Sequence, residues 1–482
     1  MQVRRSLWIS FAVSNAATIV YFGVSLVLAR LLTPDQIGVF SISVIFINIA
    51  SIFRDLGGNP YIVRKAELTN EDTGAVLGLT LTTSWALAIL LWLCTAQIAA
   101  FYGDPRIVNV LHILTFNFLL VPPAAVMAAV LTRNLSAGKG AKVGMAALLA
   151  HCIVSLSLAA LGWGEAALAL ANTALLLTNL IGYRLLMPAG FSLKPLWRGW
   201  KEPLRFSGGI LVNNIVNMAS SSIPDLFIGR KLGAHEVGIY SRSNGLTSLF
   251  QQVVGPTLGF NTLPVLAKAH HDGREAFHHM LRKSTELLTG LAWPIYIYVA
   301  VFADPVIRVL YGPNWTEAAA LVPWLCLAAM AKVPFSVIGP ALQAINRPMS
   351  GAWASLPTLL LRVLLLAVLP SNTLHAVVMV LVAADILALL AWGHVTRKLL
   401  DMSLLEMVRS QKRSAMVAGT CLGVCLACRW LGSALELPAL VLLLISGAGL
   451  IVAFLSTVHY SHHAFRQEIY RGLAAMKARR TG

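Results

Sequence analysis

Charged side chains are scarce in this sequence, and acidic ones are the scarcest. Asp, Glu, Lys and Arg together make up 12% of the 482 residues, whereas a soluble globular protein has roughly 25%. Apolar residues account for 57%, which leaves too little polar surface for a water-soluble fold. These figures exclude a soluble multidomain enzyme and indicate an integral membrane protein.

The six cysteines do not form a pattern typical of disulfides or of a metal site. Each lies within an apolar stretch, and three of them, Cys421, Cys425 and Cys428, share one face of a predicted helix. That apolar helix offers neither His nor carboxylate as a further ligand, so packing explains these cysteines better than a soft metal does. We therefore predict no metal site and no cofactor.

The sequence also lacks a phosphate-binding motif and large loops on the predicted outer side, and both absences limit the possible functions. Residues 136–142, SAGKGAK, contain a Gly-Lys pair but not the G-x-x-x-x-G-K-[ST] phosphate-binding motif, so ATP hydrolysis is unsupported. The loops predicted on the outer side are short, whereas a polysaccharide polymerase that acts there needs a loop large enough to build a site. The function is therefore predicted to lie within the helix bundle and not to be enzymatic.

Long apolar runs are what the sequence has in abundance. A bilayer core needs roughly 20 apolar residues per helix, and this length identifies fourteen candidate spans, which predict an all-α integral membrane protein. The predicted spans are residues 6–28, 37–53, 74–98, 107–131, 143–161, 166–186, 206–228, 237–254, 287–302, 318–338, 352–369, 376–392, 414–431 and 437–458.

Basic residues are concentrated on one predicted side of the membrane. When the amino terminus is placed inside, most of the 37 Lys and Arg residues fall in loops and tails on the cytoplasmic side, as the positive-inside rule expects. An even number of spans then places both termini in the cytoplasm.

An internal repeat at an offset of 200 residues relates the two halves of the chain. Residues 29–43, ARLLTPDQIGVFSIS, align without a gap with residues 229–243, GRKLGAHEVGIYSRS. The offset also pairs separated residues, namely Arg30 with Arg230, Gly38 with Gly238, and Asp104 with Asp304. A constant offset at separated positions indicates duplication. Repeats of six helices share one orientation and are related by an axis along the membrane normal.

The repeat and the spans together predict the domain organisation. We expect a first six-helix lobe at 1–190, a cytoplasmic linker at 191–205, a second six-helix lobe at 206–400, an additional helix pair at 411–458, and a basic cytoplasmic tail at 459–482. Transporters built from such halves bind substrate near the midplane and work by alternating access. Repetition of this kind therefore favours a transport function.

Five motifs carry a resemblance to a known family. They are LVLARLLTPDQIGVFSIS at 26–43, FRDLGGNPYIVRK at 53–65, PDLFIGRKLGAHEVGIYSRSNGL at 224–246, LPVLAKAHHDGREAFHHMLRKS at 263–284, and FADPVIRVLYGPNWTEAA at 302–319. On these motifs the chain resembles the polysaccharide transporter branch of the multidrug/oligosaccharidyl-lipid/polysaccharide flippase superfamily.

The resemblance implies a function as well as a fold. It implies a flippase of the bacterial inner membrane that moves undecaprenyl-pyrophosphate-linked oligosaccharide units for O-antigen, exopolysaccharide or capsule export. It also implies a two-lobed bundle whose cavity is lined by helices 1, 2, 7 and 8. The expected partners are the lipid-linked oligosaccharide, membrane lipids, and a polymerase with other export machinery. No nucleic acid is expected.

Two alternative classes of protein stay open at this point. One is a lipid II flippase or a drug/cation transporter of the same superfamily; an antiporter of cations would need intramembrane carboxylates, of which the spans offer Asp385 and Asp225. The other is a membrane-embedded glycosyltransferase or polymerase, which the short outer loops disfavour.

Polar side chains inside the spans, which are costly in lipid, and arginines at the ends of the spans are the candidate functional residues. Arg362 and Asp385 lie about midway through predicted helices 11 and 12, which predicts an intramembrane ion pair with a structural or a coupling role. The candidate substrate-binding residues are Arg30, Arg54, Arg230, Arg242, Asn15, Asn214 and Asp225.

The chemistry of the expected substrate explains this choice. Guanidinium groups stay charged and present a planar fork of donors that suits a pyrophosphate, while amides suit a sugar. Arg242 is expected five residues into helix 8, with Asp225 as its latch partner when phosphate is absent. The alternative is that Arg30 and Arg54 only anchor helix ends at the headgroups, and that the amides only hold helices together.

Overall fold

The computed structural model describes residues 2–54, 58–65, 67–134, 137–188, 191–347, 349–467 and 470. Side chains are described in those ranges except at 2–15, 58–60, 137, 201–203, 205–214, 253–261 and 352. Within this described part of the chain the regular secondary structure is helical throughout, as the composition and the apolar runs predict.

Most helices follow one another with connections of seven residues or fewer, whereas 14 residues separate the helix that ends at Leu186 from the helix that begins at Lys201. In chain order they are α1 (Gln2–Leu31), α2 (Pro34–Arg54), α3 (Gly58–Arg64), α4 (Asn70–Tyr102), α5 (Arg106–Arg133), α6 (Ala137–Ala160), α7 (Glu165–Leu186), α8 (Lys201–Leu232), α9 (Ala234–His271), α10 (Arg274–Val301), α11 (Ala303–Leu310), α12 (Ala318–Lys332), α13 (Ile338–Ala344), α14 (Met349–Val368), α15 (Leu374–Leu400), α16 (Leu404–Ser410), α17 (Lys412–Ala434) and α18 (Ala439–Tyr460). Two 3-10 turns, Pro313–Trp315 and Val333–Phe335, flank α12.

Ten segments in the described ranges are long and apolar enough to cross a membrane, or eleven if α10 and α11, which meet at 81°, form one bent span. The chain is therefore a multi-pass membrane protein. The described residues of α1, α8 and α9 are too short or too polar to qualify, although α8 and α9 are about 48 Å and 57 Å long at 1.5 Å per residue. The fourteen-span count stays a prediction.

The chain forms two compact units, Met1–Ser241 and Arg242–Gly482, with the boundary inside α9. The predicted lobes divide the chain earlier, between 190 and 206. The packing of α8 on α2 accounts for this difference, because it groups α8 with the first unit. The two six-helix lobes stay a prediction.

In the first unit, α5 packs against α2, α3, α4 and α7. Its centre contains Pro122, which has no backbone N–H and so leaves the carbonyl of Phe118 without its intrahelical donor. The hydroxyl of Ser84 on α4 donates to that carbonyl at 2.5 Å. The phenyl ring of Phe118 is fully buried against Ala50 and Ala88, which fixes α2, α4 and α5 together.

In the second unit, α10 packs against α12 and α17, and α15 packs against α12 and α14. A proline again frees a carbonyl: Pro334 deprives Met330 of its donor, and the indole N–H of Trp293 on α10 donates to it at 3.0 Å. α17 packs on α18 through an apolar cluster that includes Cys421. This position agrees with a packing role for that cysteine.

The segment between predicted spans 8 and 9, residues 255–286, is helical except at residues 272–273. α9 continues to His271 and α10 begins at Arg274, with two residues between them. Leu266 and Ala269, near the end of α9, are buried three residues apart. Phe277 and Leu281, near the start of α10, are buried four residues apart, which is how an amphipathic helix buries one face.

Candidate functional site

Three charged side chains meet within the helices of the second unit. Arg362 on α14 donates to Asp385 on α15, with Nη2 and Nε lying 2.6 Å and 3.0 Å from Oδ1. Lys332, the last residue of α12, donates from Nζ to Oδ2 of the same carboxylate at 2.8 Å. We call these three residues the charge triad. The sequence predicts the first pair, whereas the contact with Lys332 escapes sequence reasoning.

Burial and helix breaks explain why the charge triad is held in place. The side chain of Asp385 is 6% exposed and that of Arg362 is 14% exposed, whereas Lys332 is 46% exposed. The 3-10 turn Val333–Phe335 ends α12 directly after Lys332. Each carboxylate oxygen binds a different cation, and the triad carries one net positive charge at neutral pH. A charge within apolar helices is normally tolerated only in such pairings.

Arg242 lies in an aromatic cradle within the second unit. Its guanidinium carbon is 5.8 Å from the ring centre of Tyr311 and 5.6 Å from that of Trp315, and both rings are buried. The next residue, Ser243, donates its hydroxyl to the carbonyl of Ala318 at 3.2 Å. Cation–π contacts with desolvated rings are worth about 2 kcal/mol, so the aromatic rings fix the position of the guanidinium.

The depth of Arg242 in its helix corrects the sequence-based value. The prediction starts helix 8 at residue 237 and puts Arg242 five residues in. In the structure α9 begins at Ala234, so Arg242 is the ninth residue and lies about 12 Å from the helix start at 1.5 Å per residue. The helix starts earlier because α8 ends at Leu232 and Gly233, with φ of 95°, makes the turn.

Two of the predicted arginines lie against aromatic rings at helix ends in the first unit. The guanidinium of Arg54, at the end of α2, is 5.3 Å from the ring centre of Phe118. Arg230, in the last turn of α8, is 4.6 Å from the ring centre of Phe101. Arg30 is exposed in the last turn of α1. These positions at the ends of α1, α2 and α8 fit helix-end anchoring.

Of the three remaining predicted residues, the structure describes the side chain of Asp225. Asp225 is partly buried on α8, where it and Arg230 are electrostatic neighbours of the Tyr102 hydroxyl. The side chains of Asn15 and Asn214 lie outside the described residues.

A pair that the sequence analysis missed joins the first turns of α2 and α9, inside the first unit. His235 Nδ1 lies 3.1 Å from Asp35 Oδ2, and these residues are 200 positions apart. The same offset relates Gly38 to Gly238. A Cβ atom at Gly38 would collide with the carbonyl of Ala234, and one at Gly238 would collide with the carbonyl of Pro34.

The contact between α2 and α9 is therefore reciprocal, since each repeat-related segment places its glycine on the backbone of the other. Small residues let helix backbones approach this closely. The signal that could have found the Asp35–His235 pair was present in the sequence, because the offset itself matches the two positions. Identity or similarity of the aligned residues does not reveal this pair, because Asp and His are neither identical nor similar.

The repeat-related Asp-Pro sequences begin helices in both units. Asp104 accepts hydrogen bonds from the backbone N–H, Nε and Nη2 of Arg106, the last at 2.7 Å. Burial of Asp104 acts to raise its pKa, but the hydrogen bonds and charge of Arg106 outweigh burial, so the pKa of Asp104 lies below its ordinary value. In the second unit Asp304 accepts from Nε of Arg308 at 2.9 Å.

Comparison with solved structures shows which known fold the chain has. The fold is similar to that of the lipid II flippase MurJ in an inward closed conformation, with a TM-score of 0.68 and 12% identity over 98% of this chain and 99% of that one. It is also similar to an inward-facing multidrug resistance MATE family transporter of the MOP superfamily, with a TM-score of 0.56 and 12% identity over 84% of this chain and 94% of the other. The chain thus has the helical fold of these membrane transporters.

The family follows from the sequence itself. A family model described as polysaccharide biosynthesis protein matches residues 27–320, which is more than half of the chain. The chain belongs to this family of polysaccharide biosynthesis proteins, as the resemblance carried by the five motifs predicts.

Curated relatives extend the comparison. The succinoglycan biosynthesis transport protein ExoT of Rhizobium meliloti is 25% identical over 67% of this chain and 65% of its own length. The teichuronic acid biosynthesis protein TuaB of Bacillus subtilis is 23% identical over 62% of both chains. The lipopolysaccharide biosynthesis protein WzxC of Escherichia coli is 22% identical over 69% of this chain and 68% of its own length. The chain spans less than two thirds of ExoT and of TuaB.

Proposed function

We propose that this protein is a flippase of the bacterial inner membrane that moves undecaprenyl-pyrophosphate-linked oligosaccharide units across the bilayer for polysaccharide export. Family membership and the transport and biosynthesis roles named for ExoT, TuaB and WzxC support this proposal. The protein acts as a transporter and not as an enzyme. A polymerase and the other export machinery receive the unit that it delivers.

The charge triad is the observation that favours this function over cation antiport. An antiporter needs a carboxylate within the membrane that can bind and release its cation. Both oxygens of Asp385 are already engaged by Arg362 and Lys332, and the triad carries one net positive charge. A net positive charge within apolar helices suits an anionic substrate, such as a pyrophosphate, better than a cationic one.

The proposed mechanism is alternating access in a bundle of fourteen spans, formed by two six-helix repeats and a final helix pair, with both termini in the cytoplasm. α8 and α9 supply two of these spans, and their polar composition is what a helix that faces a hydrophilic glycan requires. The lipid tail stays in the bilayer while the headgroup crosses.

Among the candidate substrate residues, Arg242 has the strongest structural support. Tyr311 and Trp315 hold its guanidinium within the helices, so its charge is oriented before a phosphate arrives. Arg30, Arg54 and Arg230 are proposed to attract the pyrophosphate at the ends of the spans. Asp225, Asn15 and Asn214 are proposed to contact the glycan or to position these arginines.

The test of the function is the fate of the lipid-linked oligosaccharide. We expect deletion of the gene to stop polymer export and to leave the lipid-linked unit accessible to reagents only from the cytoplasmic side. The purified protein in liposomes should move that unit between leaflets. Export that continues at its normal level without the gene would refute the proposal.

A lipid II flippase is the second candidate, since the structural similarity to MurJ extends over 98% of the chain. The same liposomes distinguish the two functions. Movement of lipid II in preference to the sugar-linked unit, together with rescue of a strain that lacks its own lipid II flippase, would favour this second candidate.

A further inference from the structure

A basic cavity of about 300 Å³ lies in the second unit, where the start of α10, the start of α17 and the segment after α18 meet. Its charged and titratable lining comprises His279, Arg282, Lys283, Glu286, Arg413 and His462. Three of these side chains are permanently cationic and one is acidic. The family comparisons and the transport proposal leave this cavity unassigned.

The helix periodicity explains how α10 contributes to this cavity. His279, Arg282, Lys283 and Glu286 are spaced at i, i+3, i+4 and i+7, so they lie on one face of the helix. The predicted span begins at residue 287, directly after this face. The cavity therefore lies at the level of lipid headgroups rather than of the acyl chains.

Glu286, the single acidic residue of the lining, already interacts with other groups of the protein. Oε1 of Glu286 accepts a hydrogen bond from the backbone N–H of Ala464 at 3.1 Å, and it lies 3.9 Å from Nη1 of Arg413. The carboxylate also lies 3.8 Å from Nε2 of the buried His463. Glu286 thus connects the segment after α18 to α10 and lines the cavity between them.

A buried network of hydrogen bonds next to Glu286 fixes the shape of the cavity on this side. Ser414 on α17 contacts His463 Nε2 at 3.1 Å and donates to the carbonyl of Glu286 at 3.2 Å, while Thr289 donates to Ser414 at 2.8 Å. Burial, aided by Arg413 and opposed by Glu286, lowers the pKa of His463, so this imidazole stays neutral at neutral pH. These buried hydrogen bonds therefore hold the protein next to the cationic side chains in a fixed arrangement.

The start of α17 adds to the positive potential. Ser410 and Arg413 line the cavity on either side of the first residue of this helix. Gln411, at the N-cap position, makes no side-chain capping hydrogen bond. The amino-terminal end of a 23-residue helix carries a partial positive charge that favours an anion.

We propose that this cavity binds the phosphate group of an anionic membrane phospholipid, with Arg282, Lys283 and Arg413 as its cationic ligands. Basic pockets between membrane helices at the cytoplasmic side are suited to such headgroups. The site lies at the appended helix pair α17 and α18, so the bound lipid would hold this pair against α10. The proposal stands apart from transport, because it requires no movement of a glycan.

The test is lipid binding by the full-length protein in a nonionic detergent, measured by native mass spectrometry with phosphatidylglycerol. We expect Arg282→Gln and Arg413→Gln each to weaken binding about fivefold, and the double variant to weaken it about thirtyfold. A basic residue near anionic lipid contributes about 1 kcal/mol, which corresponds to roughly a fivefold change in affinity. Arg282→Lys should retain most of the binding. The matched control is Arg409→Gln, which removes the same charge from an exposed residue of α16 outside the cavity.

Elution as a single species and an unchanged melting temperature without lipid show that each variant is folded. Binding of phosphatidylglycerol by the folded double variant at the wild-type level would overturn the proposal. Equal binding of phosphatidylcholine, or displacement of the lipid by inorganic phosphate alone, would also overturn it, because the cavity would then not select an anionic lipid. Preferential binding of a polyprenyl pyrophosphate would assign the cavity to the transported substrate instead.

Discussion

In the unit Met1–Ser241 the ion pairs described above lie at helix ends, whereas the unit Arg242–Gly482 also holds three charged side chains together within its apolar helices. Lys65 and Asp72 pair at the start of α4, at 2.6 Å, and Asp104 pairs with Arg106 between α4 and α5. In the charge triad of the second unit, Arg362 and Asp385 lie inside α14 and α15, and Lys332 reaches them from the end of α12.

This difference determines how much stability is lost when one partner of a charged pair is removed. A pair at a helix end is reached by water and headgroups, and such pairs contribute about 0 to 1 kcal/mol. A buried charge cannot be left alone, and removal of its partner costs about 3 to 5 kcal/mol. A charged group kept within membrane helices despite that cost is a functional candidate. The variants below probe this contrast, from the largest expected effect to the smallest.

We expect Asp385→Asn to be the most destabilising change. It leaves the cations of Arg362 and Lys332 next to each other without a carboxylate, which should cost about 3 to 5 kcal/mol of unfolding free energy. Thermal unfolding in detergent and the yield of monodisperse protein measure this loss. Asp304→Asn, at an exposed helix end, is the control and should change little.

A double-mutant cycle sharpens that result. The combined Asp385→Asn and Arg362→Gln variant should be milder than the sum of the two single variants. If the effects simply add, the carboxylate and the guanidinium do not interact in the membrane.

The reciprocal contact of α2 and α9 should be the next most sensitive feature. Gly38→Ala and Gly238→Ala each place a Cβ on a backbone carbonyl, so both should destabilise the protein by about 1 to 3 kcal/mol. Gly245→Ala on α9 meets open space and should be stabilising by about 0.5 to 1 kcal/mol. Melting temperatures compare the three, and a tolerated Gly38→Ala would mean that the helices do not approach this closely.

Arg242→Gln tests whether a half-buried cation can serve transport without being essential for the fold. Loss of the contacts with Tyr311 and Trp315 should cost about 0.5 to 2 kcal/mol, while glycan export should stop at normal protein abundance. Export per cell and the amount of protein in the membrane are measured together. Arg308→Gln, an exposed arginine paired with Asp304, is the matched control. Full export by the Arg242 variant would contradict the electrostatic role.

The smallest effect is expected at Asp104, and it depends on pH. The folded-state pKa of Asp104 lies below its ordinary value of 3.8, so its contribution is present above that value and is lost as the pH falls through the folded pKa. Asp104→Asn should therefore lower stability by up to about 1 kcal/mol at neutral pH and by less under acid conditions. Melting temperatures across this range check the sign; an equal effect at both ends would refute it.

The residues show why much of the fold could be predicted. Spans such as 107–131 and 376–392 coincide with α5 and α15 because apolar length alone decides which segments can lie in lipid. The Arg362–Asp385 pair was predictable because two opposite charges at similar depth in adjacent spans have few other partners. The five motifs were sufficient for the family, since they record inheritance rather than geometry.

Other features depend on contacts between segments that are distant in sequence. Lys332 meets Asp385 at the point where α12 ends. The donor that replaces the hydrogen bond lost at Pro334 comes from Trp293 on α10. The segment 262–286 is helical because its apolar residues find a partner surface, which a charge count does not show.

The sequence by itself determined that this is a helical, multi-pass membrane protein of the polysaccharide biosynthesis family, because hydropathy and inherited motifs are local properties of the chain. Only the tertiary structure decided that Asp385 binds two cations, that Arg242 lies between aromatic rings, and that Asp35 meets His235. The physical reason is that hydrogen bonds, ion pairs and cation–π contacts act over a few ångströms, so they depend on which helix faces meet and not on how apolar each helix is.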